Sequence, residues 1–120
     1  MKVLVVDDEQ LVRWFLERAL SKRGYGVTTA GNAQDALGLL EKGGYDVLFT
    51  DLKMPGDDGA SLIRKVMESE GGPRIVVCSA FVTSELAEEF GSKGIITIKK
   101  PFRLSELEEA LRKVLSRDLL

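Results

Sequence analysis

Histidine is absent from the 120 residues of this sequence, and cysteine occurs once, as Cys78. Without histidine the chain can form neither a Ser-His-Asp triad, nor a histidine general base, nor a zinc site that uses histidine. A single cysteine cannot form an internal disulfide, and because Cys78 lies in an apolar run we interpret it as a small core residue. Any acid–base chemistry must therefore come from carboxylates, lysines or hydroxyl groups.

The sequence also lacks an apolar run long enough to span a bilayer, and Met1 leads directly into a strand-like run rather than a signal peptide. Its formal net charge is only −2, so nothing favours binding to nucleic acid or to a membrane surface. We therefore expect a cytoplasmic protein. We also expect one domain over residues 1–120, because a chain of this length can bury a sufficient core without disulfides or a structural metal.

Five short runs rich in valine and isoleucine alternate with segments whose apolar residues recur at helical spacing. The runs are mostly continuous, which is typical of strands covered on both faces of a parallel sheet. They are Val3–Val6, Val27–Ala30, Val47–Thr50, Ile75–Ser79 and Ile95–Ile98. The pattern predicts an α/β fold of five strand–helix units, (βα)5, in which helices cover both faces of a doubly wound, five-stranded parallel sheet.

Residues that favour helix ends agree with this division. The expected positions at or near helix N-termini are Asn32, Thr83 and Ser105. The glycines expected where helices stop are Gly24, Gly43, Gly71 and Gly91.

Polar residues lie at the carboxyl ends of four of these strands. Asp7 and Asp8 follow the first strand, Asp51 follows the third, Ser79 ends the fourth, and Lys100 follows the fifth. In a doubly wound sheet these ends meet at one edge, where ligands bind, so we expect the five side chains to share a crevice. Each residue alone is typical of a turn, a cap or a solvated charge. Three neighbouring carboxylates, however, repel one another and require a positive charge.

The chemistry of these groups indicates a metal and a phosphoryl group. Oxygen ligands without histidine or cysteine favour Mg²⁺ over zinc. Beside a metal and a lysine, a carboxylate can act as the nucleophile toward phosphorus while a hydroxyl donates a hydrogen bond to a phosphoryl oxygen. The sequence has no P-loop lysine motif and no G-x-G-x-x-G after a strand, so tight nucleotide binding is not indicated.

Four motifs, taken in order, resemble those of the response-regulator receiver domains of two-component signalling. They are VLVVDDE in the first strand, DLKMPGDDG from Asp51, CSA through Ser79 and KKPF through Lys100. The resemblance covers essentially the whole chain and implies a CheY-like, flavodoxin-like sandwich. It also implies a phosphorylation-activated switch that catalyses only its own phosphorylation and dephosphorylation, and is otherwise not an enzyme.

The resemblance implies roles for individual residues. Asp51 would accept the phosphoryl group, and it would bind Mg²⁺ together with Asp7, Asp8 and the backbone carbonyl of Lys53. Ser79 would move toward the phosphoryl group.

Lys100 would stabilise the phosphoryl charge, and the Lys100–Pro101 bond would be cis. The family usually has an aromatic residue three positions before this lysine, where this sequence has Thr97. We therefore expect weaker or differently routed switching. Either the side chain of Phe81 moves on switching in place of that aromatic residue, or Phe81 is an ordinary packing residue.

The implied partners are a histidine kinase or a histidine phosphotransfer protein as donor, and an output protein or an effector domain as receiver of the signal. A homodimer is also compatible, whereas direct contact with nucleic acid or membrane is not expected. The segment VRWFLERAL resembles the first helix of nitrogen-regulation (NtrC-like) receivers. Its Trp14 lies off the apolar stripe and is either an exposed anchor for a partner or partly buried over the adjacent helix. The sequence leaves open a single-domain regulator and a receiver excised from a longer protein.

Three alternatives remain. A Mg²⁺-dependent phosphatase or phosphotransferase with an aspartyl nucleophile commonly has a second aspartate two residues later, where this chain has Lys53. A flavodoxin-like electron-transfer protein needs a phosphate-binding loop after the first strand, but the acidic sequence DDEQ there would repel an anion. A pseudo-receiver that uses only its surface is least favoured, because each expected site residue is present.

Overall fold

The computed structural model of the protein describes residues 1–52 and 59–116. Within these ranges five strands alternate with five helices, as the sequence predicts. The strands are β1 (Lys2–Val6), β2 (Gly26–Ala30), β3 (Val47–Thr50), β4 (Arg74–Ser79) and β5 (Ile96–Lys99). The helices are α1 (Gln10–Ser21), α2 (Ala33–Glu41), α3 (Gly59–Glu68), α4 (Ser84–Ser92) and α5 (Leu104–Ser116). None of the described helices combines the length and apolar character needed to cross a membrane.

The strands form one parallel sheet in the order β2-β1-β3-β4-β5, and alternate residues face opposite helical layers. Val3 and Val5 pack with residues of α1 and α5, whereas Leu4 and Val6 pack with residues of α2, α3 and α4. Both faces are therefore covered, which explains why the strand reads as a continuous apolar run. Cys78 is a buried free thiol, as predicted, and it faces the layer formed by α1 and α5. Burial raises the pKa of that thiol.

Asn32 and Thr83 cap α2 and α4, since their side-chain oxygens accept backbone N–H groups at 2.7 and 3.1 Å. Ser105 is the second residue of α5 and therefore does not cap it. Instead, the backbone N–H group just before the helix donates to a carboxylate in the first turn. The prediction that Gly91 ends a helix is wrong. Gly91 lies inside α4, and the backbone turns afterwards at Gly94, whose φ of 83° favours glycine.

Candidate functional site

The sheet register brings the predicted site residues to one edge. Because β1 and β3 are neighbours, Asp7 and Asp51 leave the sheet side by side, and the N–H of Asp51 donates to the carbonyl of Val6 at 3.1 Å. Strands β4 and β5 end together in the same way, and the N–H of Lys100 donates to the carbonyl of Ser79 at 2.9 Å. The four adjacent strands β1, β3, β4 and β5 therefore bring Asp7, Asp51, Ser79 and Lys100 to the same edge of the sheet.

Lys100 joins the two buried carboxylates of this edge. Its Nζ donates to Oδ2 of Asp7 at 2.6 Å and to Oδ2 of Asp51 at 2.8 Å. The other oxygen of each carboxylate accepts a backbone N–H: Oδ1 of Asp51 from Leu52 at 2.6 Å, and Oδ1 of Asp7 from Glu9 at 2.9 Å. Hydrogen bonds to both oxygens therefore fix the orientation of each carboxylate without a metal.

The protonation of these groups follows from burial and pairing. Burial raises the pKa of Asp7, although hydrogen bonds from Lys100 and from the backbone of Glu9 act in the opposite direction. Burial alone would lower the pKa of Lys100, but its hydrogen bonds to Asp51 and Asp7 outweigh that effect and raise the pKa above its usual value. Lys100 is therefore protonated at neutral pH and supplies a fixed positive charge.

A group of four acids forms a candidate divalent-metal site. Asp7, Asp8, Glu9 and Asp51 each offer a carboxylate oxygen, and these atoms all lie within 4.8 Å of one another. The donors are all oxygen atoms, which suits Mg²⁺. Glu9 was not among the predicted ligands, although it directly follows the acidic pair in the sequence. Lys53, whose carbonyl is the remaining predicted ligand, lies outside the described residues.

A hydrogen bond connects the side chain of Ser79 to the backbone of Phe81. Ser79 is fully buried, and its Oγ accepts the N–H of Phe81 at 3.1 Å. The side chain of Phe81 is 60% exposed, so it is not an ordinary core residue. Thr97 is half-buried within β5. The peptide bond between Lys100 and the following proline is cis, as the resemblance implies.

An apolar surface borders the acidic group. Leu11 and Trp14 of α1 are 79% and 57% exposed. Of the two interpretations of Trp14, the exposed one therefore holds. Phe15 is also exposed, and its ring centroid lies 6.0 Å from that of Phe102, which follows β5. Leu11, Phe15 and Phe102 line a groove that Lys100 also reaches. An exposed apolar surface of α1 thus lies directly beside the site.

Comparison with known proteins identifies related sequences. The family model described as the response regulator receiver domain matches residues 3–112. Sporulation initiation phosphotransferase F of Bacillus subtilis is 30% identical over 115 residues, a match that covers 95% of this chain and 93% of that protein. The transcriptional regulator NtrC of Salmonella typhimurium is 31% identical over 115 residues, but the match spans only 24% of its length and 95% of this chain.

A solved structure supports the same relationship. The response regulator TrrA from Thermotoga maritima, determined in complex with Mg²⁺-BeF, has a TM-score of 0.81 and 30% sequence identity. The match covers 94% of this chain and 97% of that one.

Proposed function

This chain belongs to the family of response regulator receiver domains, the phosphorylation-activated switches of two-component signalling, and we propose that Asp51 is its phosphoryl acceptor. The observation that carries this proposal is the position of Lys100, whose Nζ lies 2.8 Å from Asp51 and 2.6 Å from Asp7. A fixed positive charge beside an oriented carboxylate is the arrangement that phosphoryl transfer to that carboxylate requires.

In the proposed reaction, a carboxylate oxygen of Asp51 attacks the phosphorus of a phosphohistidine on a partner protein. The P–N bond breaks, and the imidazole leaves with its electron pair. Lys100 keeps its proton and neutralises the phosphoryl oxygens, while the N–H of Leu52 holds the carboxylate in place. Water later hydrolyses the acyl phosphate. The chemistry is confined to the chain's own aspartate, so we propose that the protein is a switch rather than an enzyme with a separate substrate.

We propose Mg²⁺ as the metal, with Asp7, Asp8 and Asp51 as side-chain ligands and the carbonyl of Lys53 as a further ligand. The donor set of the acidic group fits this ion, since every donor is an oxygen atom. Bound Mg²⁺ would supply positive charge to the phosphoryl oxygens.

The first experiment combines acetyl phosphate, as a small phosphoryl donor, with intact mass measurement. We expect the mass to rise by one phosphoryl group with Mg²⁺ and to stay unchanged with a chelator. Mg²⁺ at 100 times its dissociation constant should also raise the free energy of unfolding by about 2.7 kcal/mol. Asp8→Asn should lose the Mg²⁺-dependent stabilisation, whereas Asp35→Asn, on α2, should retain it. If the wild-type protein showed neither labelling nor stabilisation, the pseudo-receiver alternative would be favoured.

The partner that supplies the phosphoryl group should contact the apolar surface of α1. Leu11→Ala removes an exposed side chain beside the site, and we expect phosphotransfer from a phosphohistidine donor to slow by about 10-fold, as for a moderate interface hot spot. Labelling by acetyl phosphate should not change, because that donor needs no protein contact. Met67→Ala, which removes an exposed apolar side chain of α3, is the matched control. Equal slowing with both donors would contradict this docking surface.

The signal leaves the site through Ser79 and Phe81 in our proposal. A Ser79 hydroxyl that turns toward a phosphoryl oxygen on Asp51 would release the N–H of Phe81, and the segment between β4 and α4 would change conformation. NMR of the beryllofluoride-bound protein should therefore show its largest backbone shifts at residues 80–83. A pattern centred on Thr97 would argue for the usual aromatic-switch route instead.

We further propose that residues 1–120 form one receiver domain that acts in the cytoplasm. The family match over residues 3–112 and the packing of both helical layers on one sheet support the single domain. Receiver domains of this family act with histidine kinases or phosphotransfer proteins and with effector domains. The α1 sequence favours an NtrC-like receiver, and NtrC of Salmonella typhimurium is among the matched proteins.

A further inference from the structure

A contact at the acidic group is not used by the chemistry described above. Nη1 of Arg13, on the first turns of α1, donates a hydrogen bond to the backbone carbonyl of Asp7 at 2.6 Å. That carbonyl belongs to the peptide that joins Asp7 to Asp8. Because the donor carries a full charge, the bond is stronger than one between neutral groups.

The local structure directs Arg13 back toward the end of β1. Its backbone N–H donates to the carbonyl of Glu9 at 3.2 Å, in the first turn of the helix. A Cβ placed on Gly31 would lie 3.3 Å from Nη1 of Arg13, and apart from its two chain neighbours no other described residue lies within 4 Å of that position. The glycine after β2 thus leaves the space that the guanidinium occupies.

The two aspartates of the pair are held differently. The carboxylate of Asp7 is fixed by Lys100 and by the N–H of Glu9. The side chain of Asp8 is exposed, and no hydrogen bond reaches its carboxylate from the described residues. The direction in which Asp8 points therefore depends on the plane of the Asp7–Asp8 peptide, and that plane is held by Arg13.

We propose that Arg13 is a positioning residue for metal binding: by holding the Asp7–Asp8 peptide, it orients the carboxylate of Asp8 toward the ion. This inference rests on the proposed Mg²⁺ site. Arg13 also brings a positive charge near that site, and this charge alone would disfavour a cation. Orientation and charge therefore have opposite effects on affinity, so the direction of the change on mutation distinguishes them.

The test measures the dissociation constant for Mg²⁺ from the dependence of thermal unfolding on Mg²⁺ concentration, at constant ionic strength. Arg13→Met keeps the aliphatic chain and removes the donor and its charge. We expect Mg²⁺ to bind about 10-fold more weakly, as for other groups that orient metal ligands. Arg13→Lys, which can still donate to the carbonyl, should largely restore the affinity. Arg18→Met removes the same charge from the outer side of α1, where the guanidinium lies over Trp14, and should leave the affinity unchanged.

A second variant keeps the arginine and the charge. Gly31→Ala places its Cβ against the guanidinium, so we expect a smaller weakening of Mg²⁺ binding without any change in net charge. This variant also decides the question if Arg13→Met does not fold. Unchanged or tighter binding in Arg13→Met, or unchanged binding in Gly31→Ala if the first variant is unfolded, would overturn the inference. Absence of Mg²⁺ binding to the wild-type protein would instead contradict the proposed function itself.

Discussion

Replacing Asp51 with asparagine is expected to abolish phosphorylation of this receiver domain while leaving its fold intact. The amide oxygen can still accept the N–H of Leu52, which Oδ1 accepts at 2.6 Å in the native protein. The amide cannot act as the nucleophile or form an acyl phosphate. With acetyl phosphate and Mg²⁺, the intact mass of Asp51→Asn should therefore remain that of the unmodified chain.

The stability of the same variant should change only moderately. Asp51→Asn loses the charge-assisted hydrogen bond from Lys100, a loss of about 3 kcal/mol. Part of this loss is offset, because Asp7 keeps its bond to Lys100 and no longer faces a second buried carboxylate. Circular dichroism should show an unchanged fold, and chemical denaturation should give the change in free energy of unfolding.

Asp35→Asn is the matched control for this experiment. It removes the same charge from the first turn of α2, outside the acidic group, and should be labelled like the wild-type protein. Labelling of Asp51→Asn at the wild-type rate would show that another residue accepts the phosphoryl group. Peptide mapping of that product would then identify the true acceptor.

The arrangement of the strands could be predicted from the sequence because burial on both faces leaves a clear signal. Strand β3 has the predicted bounds, and the other four differ by one residue at one or both ends. Gly91 was misassigned because a single glycine inside a helix cannot be distinguished from one that ends it until φ is known.

The candidate site could be predicted from the sequence only in part. Asp7, Asp51 and Lys100 each directly follow a strand, so parallel topology alone brings them to one edge. Glu9 and Arg13 were missed for a physical reason. Whether their side chains reach the site depends on the direction in which α1 leaves the end of β1. The sequence pattern does not give that direction.

Gly59→Ala should be among the most destabilising single substitutions in the described part of the chain. Gly59 begins α3, directly against the backbone that carries Asp51. A Cβ at this position would lie 1.7 Å from the carbonyl oxygen of Asp51 and 2.9 Å from Cα of Leu52. Both neighbours are backbone atoms, so no side-chain rotation relieves the overlap and the strand or the helix must shift. We expect a loss of about 3 kcal/mol or more in the free energy of unfolding.

Gly38→Ala separates this steric effect from the general effect of alanine in a helix. Gly38 lies within α2 and is exposed, and an added Cβ there would meet open space, since beyond its own helical turn no atom of the described residues lies within 4 Å of its position. Alanine should therefore stabilise the protein there, by up to about 1 kcal/mol. Thermal unfolding should show a fall of roughly 10 °C or more for Gly59→Ala and a small rise for Gly38→Ala. Similar stability in both variants would mean that α3 does not begin against Asp51. In that case the backbone that presents the proposed phosphoryl acceptor would be held differently from the arrangement described above.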